Sequence, residues 1–242
     1  MNQNLTELVF ILDRSGSMYG LELETISGYN SMLEKQKNEP GEAKVTTVLF
    51  DNLYEVIHDA VDVKSVKPMT SKEYYPRGTT ALMDAIGNTL NRVGNRLAAT
   101  PEHERPGQVI VIITTDGYEN SSREFTRGQI KKMIEHQTDV YSWKFMFLGA
   151  NIDAAAEADS IGISGDWTAQ YAASEIGTKS VYACVDSMVS SIRSTGTVDC
   201  TLAASYSAAE DALSASKCTA VDADSLVAHV DGSYAVGATN LW

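Results

Sequence analysis

Hydrophobic positions along this chain follow two different periods. Leu8-Val9-Phe10-Ile11-Leu12 and Val109-Ile110-Val111-Ile112-Ile113 are unbroken apolar runs, the pattern of strands buried on both faces of a parallel sheet. Leu82, Ile86, Leu90, Val93 and Leu97 instead recur every three or four residues, which lines them along one face of a helix. Leu23, Ile26 and Leu33 predict an earlier helical stripe, stopped at Pro40-Gly41. Val45 to Phe50 reads as a strand, and Asp51-Asn52 turns it into Leu53 to Ile57. That pair predicts a hairpin whose second arm is an antiparallel edge strand.

The same alternation continues. A polar segment from Ser65 to Gly78 precedes the long helix, and Pro101 and Pro106 bracket its exit. Ile130, Met133 and Ile134 mark a helix, Trp143 to Gly149 a strand, and Ala154 to Ala158 a short helix ended by Gly162. A weaker strand is expected near Trp167 to Tyr171, then a last helix on Tyr182, Val185, Val189 and Ile192. Strands alternating with helices predict an α/β fold of the Rossmann-like, doubly wound kind. Its sheet would be mostly parallel with one antiparallel edge strand, and helices would cover both faces. Residues 1–193 form one domain in this reading. Residues 194–242 are a Ser/Ala-rich C-terminal extension, with a β-hairpin at Leu226 to Val236 around Asp231-Gly232 as one candidate. There is no internal repeat.

Composition narrows the function classes. The chain has 242 residues, 43% hydrophobic and 21% charged, ordinary values for a globular protein. A formal charge of −13 with no basic cluster disfavours nucleic acid and anionic membranes as partners. No stretch reaches the ~20 apolar residues of a membrane span, and the N-terminus has no basic-then-apolar leader. A cytoplasmic location is therefore expected. Cys184, Cys200 and Cys218 are isolated and odd in number, so reduced thiols are expected. His58, His103, His136 and His229 show no metal-ligand spacing.

The chemistry concentrates where the two apolar runs end. The first runs into Asp13-Arg14-Ser15-Gly16-Ser17, the second into Thr114-Thr115-Asp116-Gly117. Ligands of doubly wound sheets bind beyond the carboxyl ends of the strands, where the winding reverses. Neighbouring parallel strands lie ~4.8 Å apart, so both carboxylates can face one ion, whose charge would offset their mutual repulsion. Hard oxygen donors suit a small divalent cation. Arg77-Gly78-Thr79-Thr80-Ala81 adds a hydroxyl at the start of the long helix, a position that capping alone would also favour.

With these residues the chain resembles von Willebrand factor type A domains that carry an intact metal-ion-dependent adhesion site. It looks most like the small stand-alone bacterial members. The match rests on the D-x-S-x-S pattern at Asp13, Ser15 and Ser17, on Gly78-Thr79-Thr80, and on Thr115-Asp116-Gly117, and it covers about residues 5–193. The resemblance implies Ser15 and Ser17 as hydroxyl ligands and Thr80 as a direct or water-mediated one. Asp13 and Asp116 would ligate directly or hold the metal's waters. It also implies Mg²⁺, with Mn²⁺ or Ca²⁺ as alternatives, and a partner protein whose Asp or Glu completes the shell. The function implied is Mg²⁺-dependent protein binding without catalysis.

Rival readings stay open from sequence. Phosphotransferases of the haloacid-dehalogenase type also set aspartates around Mg²⁺ at strand ends, but need a second aspartate where Ser15 stands. No phosphate-binding G-x-x-x-x-G-K-[ST] is present, and Tyr118 and Glu119 are the available candidates for a base. Within the binding reading, the partner is an AAA-type ATPase system or a second copy docking Asp222, Asp224 or Asp231. Tyr74, Tyr75 and Arg77 have the residue types of binding hot spots and form either a partner-contacting rim or packing beneath their own loop. Asp51 either borders the site or serves only its hairpin turn.

Overall fold

A computed structural model describes residues 1–198 and 200–207. The first apolar run lies in β1 (Asn2–Asp13), followed by α1 (Glu22–Asn38). The hairpin is β2 (Glu42–Phe50) and β3 (Tyr54–Asp62), paired antiparallel. The long helix is α2 (Leu82–Ala99) and the second apolar run is in β4 (Pro106–Thr115). Then come α3 (Arg127–Tyr141), β5 (Lys144–Ala150), α4 (Ala154–Ser160), β6 (Thr168–Tyr171) and α5 (Glu175–Thr195).

These strands make one sheet in the order β3-β2-β1-β4-β5-β6. Every pairing except β2 with β3 is parallel. The mostly parallel, doubly wound α/β sheet read from the sequence is therefore the observed one. Both faces of the central strands are buried, as their unbroken apolar runs require. Leu8, Phe10 and Leu12 face a layer containing Tyr29 and Leu33 of α1 and Val185 and Val189 of α5. Val9 and Ile11 face the other layer, with Leu82, Ile86 and Leu90 of α2, Ile130 of α3 and Ala154 of α4. Chain winding reverses between β1 and β4, so the crevice at their carboxyl ends is the switch point of the fold.

Several local expectations are corrected. Leu23 leaves the helical stripe and is exposed, because the buried face of α1 runs through Thr25, Gly28, Tyr29, Met32, Leu33 and Gln36. Trp143 is buried but precedes β5. Beyond α5 the chain folds back, with helical residues 202–207 placing Leu202 and Tyr206 against the α1/α5 layer. Cys184 and Cys200 are free thiols. The candidate hairpin at Leu226 to Val236, Cys218, His229 and the aspartates 222, 224 and 231 lie outside the described residues. No helix among those described is long and apolar enough to cross a membrane.

Candidate metal centre

Three loops converge on the carboxyl ends of β1 and β4. The first leaves β1 at Asp13 and makes a single helical turn over Gly16–Met18. The second is the threonine loop entering α2, and the third follows β4. Backbone bonds lock the first two together. Gly16 N–H donates to the Gly78 carbonyl at 3.2 Å, and Arg77 N–H to that of Arg14 at 2.9 Å. Gly78 has φ +68°, and a Cβ there would stand 2.1 Å from Asn52 Oδ1. The left-handed φ is what calls for glycine there, while the exposed Asn52 amide could turn away from a Cβ.

The expected site residues come together. Asp13 is fully buried; its Oδ1 accepts Ser15 N–H at 2.7 Å and its Oδ2 accepts the Thr115 hydroxyl at 2.6 Å. Ser17 Oγ donates to Asp116 Oδ1 at 2.5 Å and lies 3.0 Å from Ser15 Oγ. Ser17 Oγ and Thr80 Oγ1 lie 3.0 and 3.2 Å from the point where a Cβ at Gly117 would sit, so the threonine hydroxyl faces the same space. Thr80 is buried while Thr79 is exposed. Asp116 is buried, and Gly16 and Ser17 open the site to solvent.

Electrostatics leaves this cluster short of positive charge. Burial pushes the Asp13 carboxyl up to about 6, against the downward pull of bonds from Thr115 and Ser15; the neighbouring Asp116 adds to the rise. Asp116 is also raised, by burial first, against the Ser17 bond. Neither carboxylate forms an ion pair among the described residues. Buried carboxylates without a basic partner are costly. A divalent cation among them and three hydroxyl oxygens would remove that cost, and the donor set is all hard oxygen, as Mg²⁺ prefers. The residues therefore fit such an ion. Groups of three or more His, Cys, Asp or Glu side chains able to hold a metal are absent among the described residues, so an ion here would need the hydroxyls as donors.

Tyr74 and Asp51, whose roles the sequence left open, and Asn120, which it did not single out, support the cluster. The Tyr74 hydroxyl donates to the Asp13 carbonyl at 2.6 Å. Tyr74 is fully buried, so of the expected rim only Tyr75 and Arg77 reach solvent. Asn120 Oδ1 accepts Thr80 N–H at 2.9 Å, and Asn120 N–H donates to the Thr80 carbonyl at 3.0 Å. Asp51 does more than close its hairpin. Its Oδ2 accepts Nε of buried Arg14 at 3.0 Å and Nε of Arg77 at 2.8 Å, while its carbonyl accepts Ala81 N–H at 3.0 Å. Arg14 also pairs with Glu55 at 2.7 Å. One carboxylate thus ties the loop after β1 to the threonine loop.

No family model and no curated relative matches the sequence. Among solved structures, proximal thread matrix protein 1 of the mussel byssus, in a form with zinc in its adhesion-site motif, aligns with a TM-score of 0.54 and 16% identity. That alignment covers 76% of this chain and 46% of the other. A mutant of the PilB minor pilin from Streptococcus sanguinis gives 0.56 and 12%, covering 82% and 64%. The von Willebrand factor type A protein from Catenulispora acidiphila gives 0.52 and 14%, covering 76% and 42%. This chain spans less than two thirds of each of these. At such identities the likeness is one of architecture, and the chain has the fold of a von Willebrand factor type A domain.

Proposed function

We propose that this chain is a protein-binding module whose contact depends on a divalent cation, with Mg²⁺ first and Mn²⁺ or Ca²⁺ as alternatives. Asp13, Ser15, Ser17, Thr80 and Asp116 would hold the ion, and a partner's Asp or Glu would complete its shell. The cation supplies a positive centre to which an anionic oxygen can bind. The chain's own residues orient it: Thr115 and Ser15 N–H fix the Asp13 carboxylate, and Asn120 fixes the threonine loop. The observation that carries the reading is the gathering of two buried carboxylates and three hydroxyls from three loops, with no basic side chain paired to either carboxylate among the described residues. The zinc held at the corresponding motif of the mussel byssal protein supports the same chemistry.

Binding without catalysis is part of this proposal. The two groups available as a general base are otherwise engaged. Glu119 accepts bonds from the backbone of Met83, Ser121 and Ser122 and from the Ser122 hydroxyl, which makes it a loop clamp. The Tyr118 hydroxyl accepts Asp153 N–H. His58 lies in β3 opposite Thr47 of β2, with its Nδ1 3.4 Å from the Tyr29 hydroxyl. Calorimetric titration of Mg²⁺ into the chelator-treated chain, beside Asp13→Asn and Ser17→Ala, tests the ion. Saturable binding in the parent that weakens at least about tenfold in both variants supports it. Equal heats in all three would place the cation elsewhere.

A further inference from the structure

Large exposed apolar side chains are unevenly distributed. Tyr19, Leu23, Leu53, Tyr75 and Tyr118 are 82%, 73%, 57%, 43% and 55% exposed, and all five sit around the crevice at the carboxyl ends of the strands. Tyr19 follows the metal loop, and Leu23 is in the first turn of α1. Leu53 is in the β2–β3 turn beside Asp51, Tyr75 leads into the threonine loop, and Tyr118 stands two residues after Asp116. The other large exposed apolar residues among those described, Met1, Val140 and Tyr141, lie at the opposite end of the sheet. A lone exposed leucine is unremarkable, whereas a ring around a polar crevice marks a contact surface. Two of its aromatics are held in place. The Tyr75 hydroxyl accepts Arg77 Nη1 at 2.8 Å, with the Arg77 guanidinium 5.0 Å from the ring centre. Tyr118 is held by Asp153 N–H at 3.2 Å. Aromatic anchors fixed beforehand lose little freedom on binding.

We infer that this rim docks a protein segment in which one acidic side chain is flanked by aliphatic or aromatic residues. The inference rests on the cation-site reading above. Five donor residues leave part of an octahedral shell open toward solvent, on the side of exposed Ser17, and an anionic oxygen is what that opening accepts. Once the acid is seated, its neighbours in sequence fall on Tyr19, Leu23, Leu53, Tyr75 and Tyr118. Charge argues against other occupants. Glu22, Glu24 and Glu55 stand beside the rim, and the chain carries −13 overall. That field repels anionic lipid headgroups and nucleic acid, and it opposes a second copy of the chain.

A bead library of peptides with a fixed central Glu and three random residues on each side tests the inference. It is bound to the full chain in Mg²⁺ and eluted with EDTA. The expected result is enrichment of Leu, Ile, Phe and Trp in the flanks. Tyr19→Ser/Leu23→Ser/Leu53→Ser should bind Mg²⁺ with parental affinity by calorimetry yet retain roughly tenfold fewer beads. Mg²⁺-dependent capture without apolar enrichment, or with enrichment unchanged in the triple variant, overturns the inference and leaves the cation reading standing. No retained peptide at all also overturns it, as does Mg²⁺-dependent dimerisation by light scattering that the triple variant loses. Apolar enrichment that persists in EDTA and is lost in the triple variant keeps the rim and sinks the cation reading.

Discussion

Asp13 sits in a conflict that a cation would resolve, and the conflict is measurable without one. Its carboxyl ionises at about 6 in the folded chain, against an ordinary value of 3.8. The folded state therefore binds the proton more tightly than the unfolded state, and in EDTA its contribution to stability falls as pH rises from about 4 to about 6. Asp13→Asn removes that slope. The variant should gain on the parent across this window, by no more than about 3 kcal/mol at neutral pH, and then run parallel above it. Thermal melts from pH 4 to 8 in EDTA check this; parallel curves throughout would mean that Asp13 carries no burial penalty. Asp51 is the opposite case, because buried Arg14 depends on it. Asp51→Asn leaves only half-exposed Glu55 as a counter-charge to Arg14 and should cost about 3 kcal/mol in urea unfolding. A loss below about 1 kcal/mol would assign the arginine's balance to Glu55.

At the scale of elements, what the sequence made legible was what period and strand-end chemistry encode. The apolar runs of β1 and β4, the stripe of α2 and the turn at Asp51-Asn52 located the central sheet, and the aspartates ending both runs located the crevice. Contacts between loops were not encoded in this way. The bond from Thr115 to Asp13 spans 102 residues and that from Thr80 to Asn120 spans 40, and neither has a periodic signature. Leu23 misled because a leucine in register with a helical stripe reads as core even when its turn faces the rim of a crevice. The seam between α1 and α5 was hidden too, since it turns on a missing side chain. A Cβ at Gly28 would lie 2.3 Å from the Tyr182 ring. Gly28→Ala must push the two helices apart or tilt that ring, and overpacking of this kind costs about 1–3 kcal/mol. Chemical denaturation of the variant checks this, and parental stability would mean that Tyr182 swings away without strain.

For the whole molecule, the field of the chain matters to a cation even where no single residue touches it. A net charge of −13 concentrates cations near the surface, and the crevice focuses that attraction because its low-dielectric walls screen little. If the proposed site holds Mg²⁺, two contributions to its affinity separate by their salt dependence. Contacts with Asp13, Asp116 and the hydroxyls in the proposed site would act within one bond length and resist screening, whereas attraction from distant carboxylates would reach it only across many ångströms. The screening length shrinks from about 10 Å at 0.1 M salt to about 3 Å at 1 M, so raising KCl over that range should erase the second contribution and spare the first. Mg²⁺ affinity should weaken several-fold, by about 1 kcal/mol, and level off without vanishing. Calorimetry at stepped KCl, with sucrose in place of salt as a control for bulk effects, reads this out. A flat response would mean that the liganding oxygens alone set the affinity. A continuous decline with no plateau would mean that the ion is a diffuse counter-ion of an acidic protein, and the crevice would then have no claim to it.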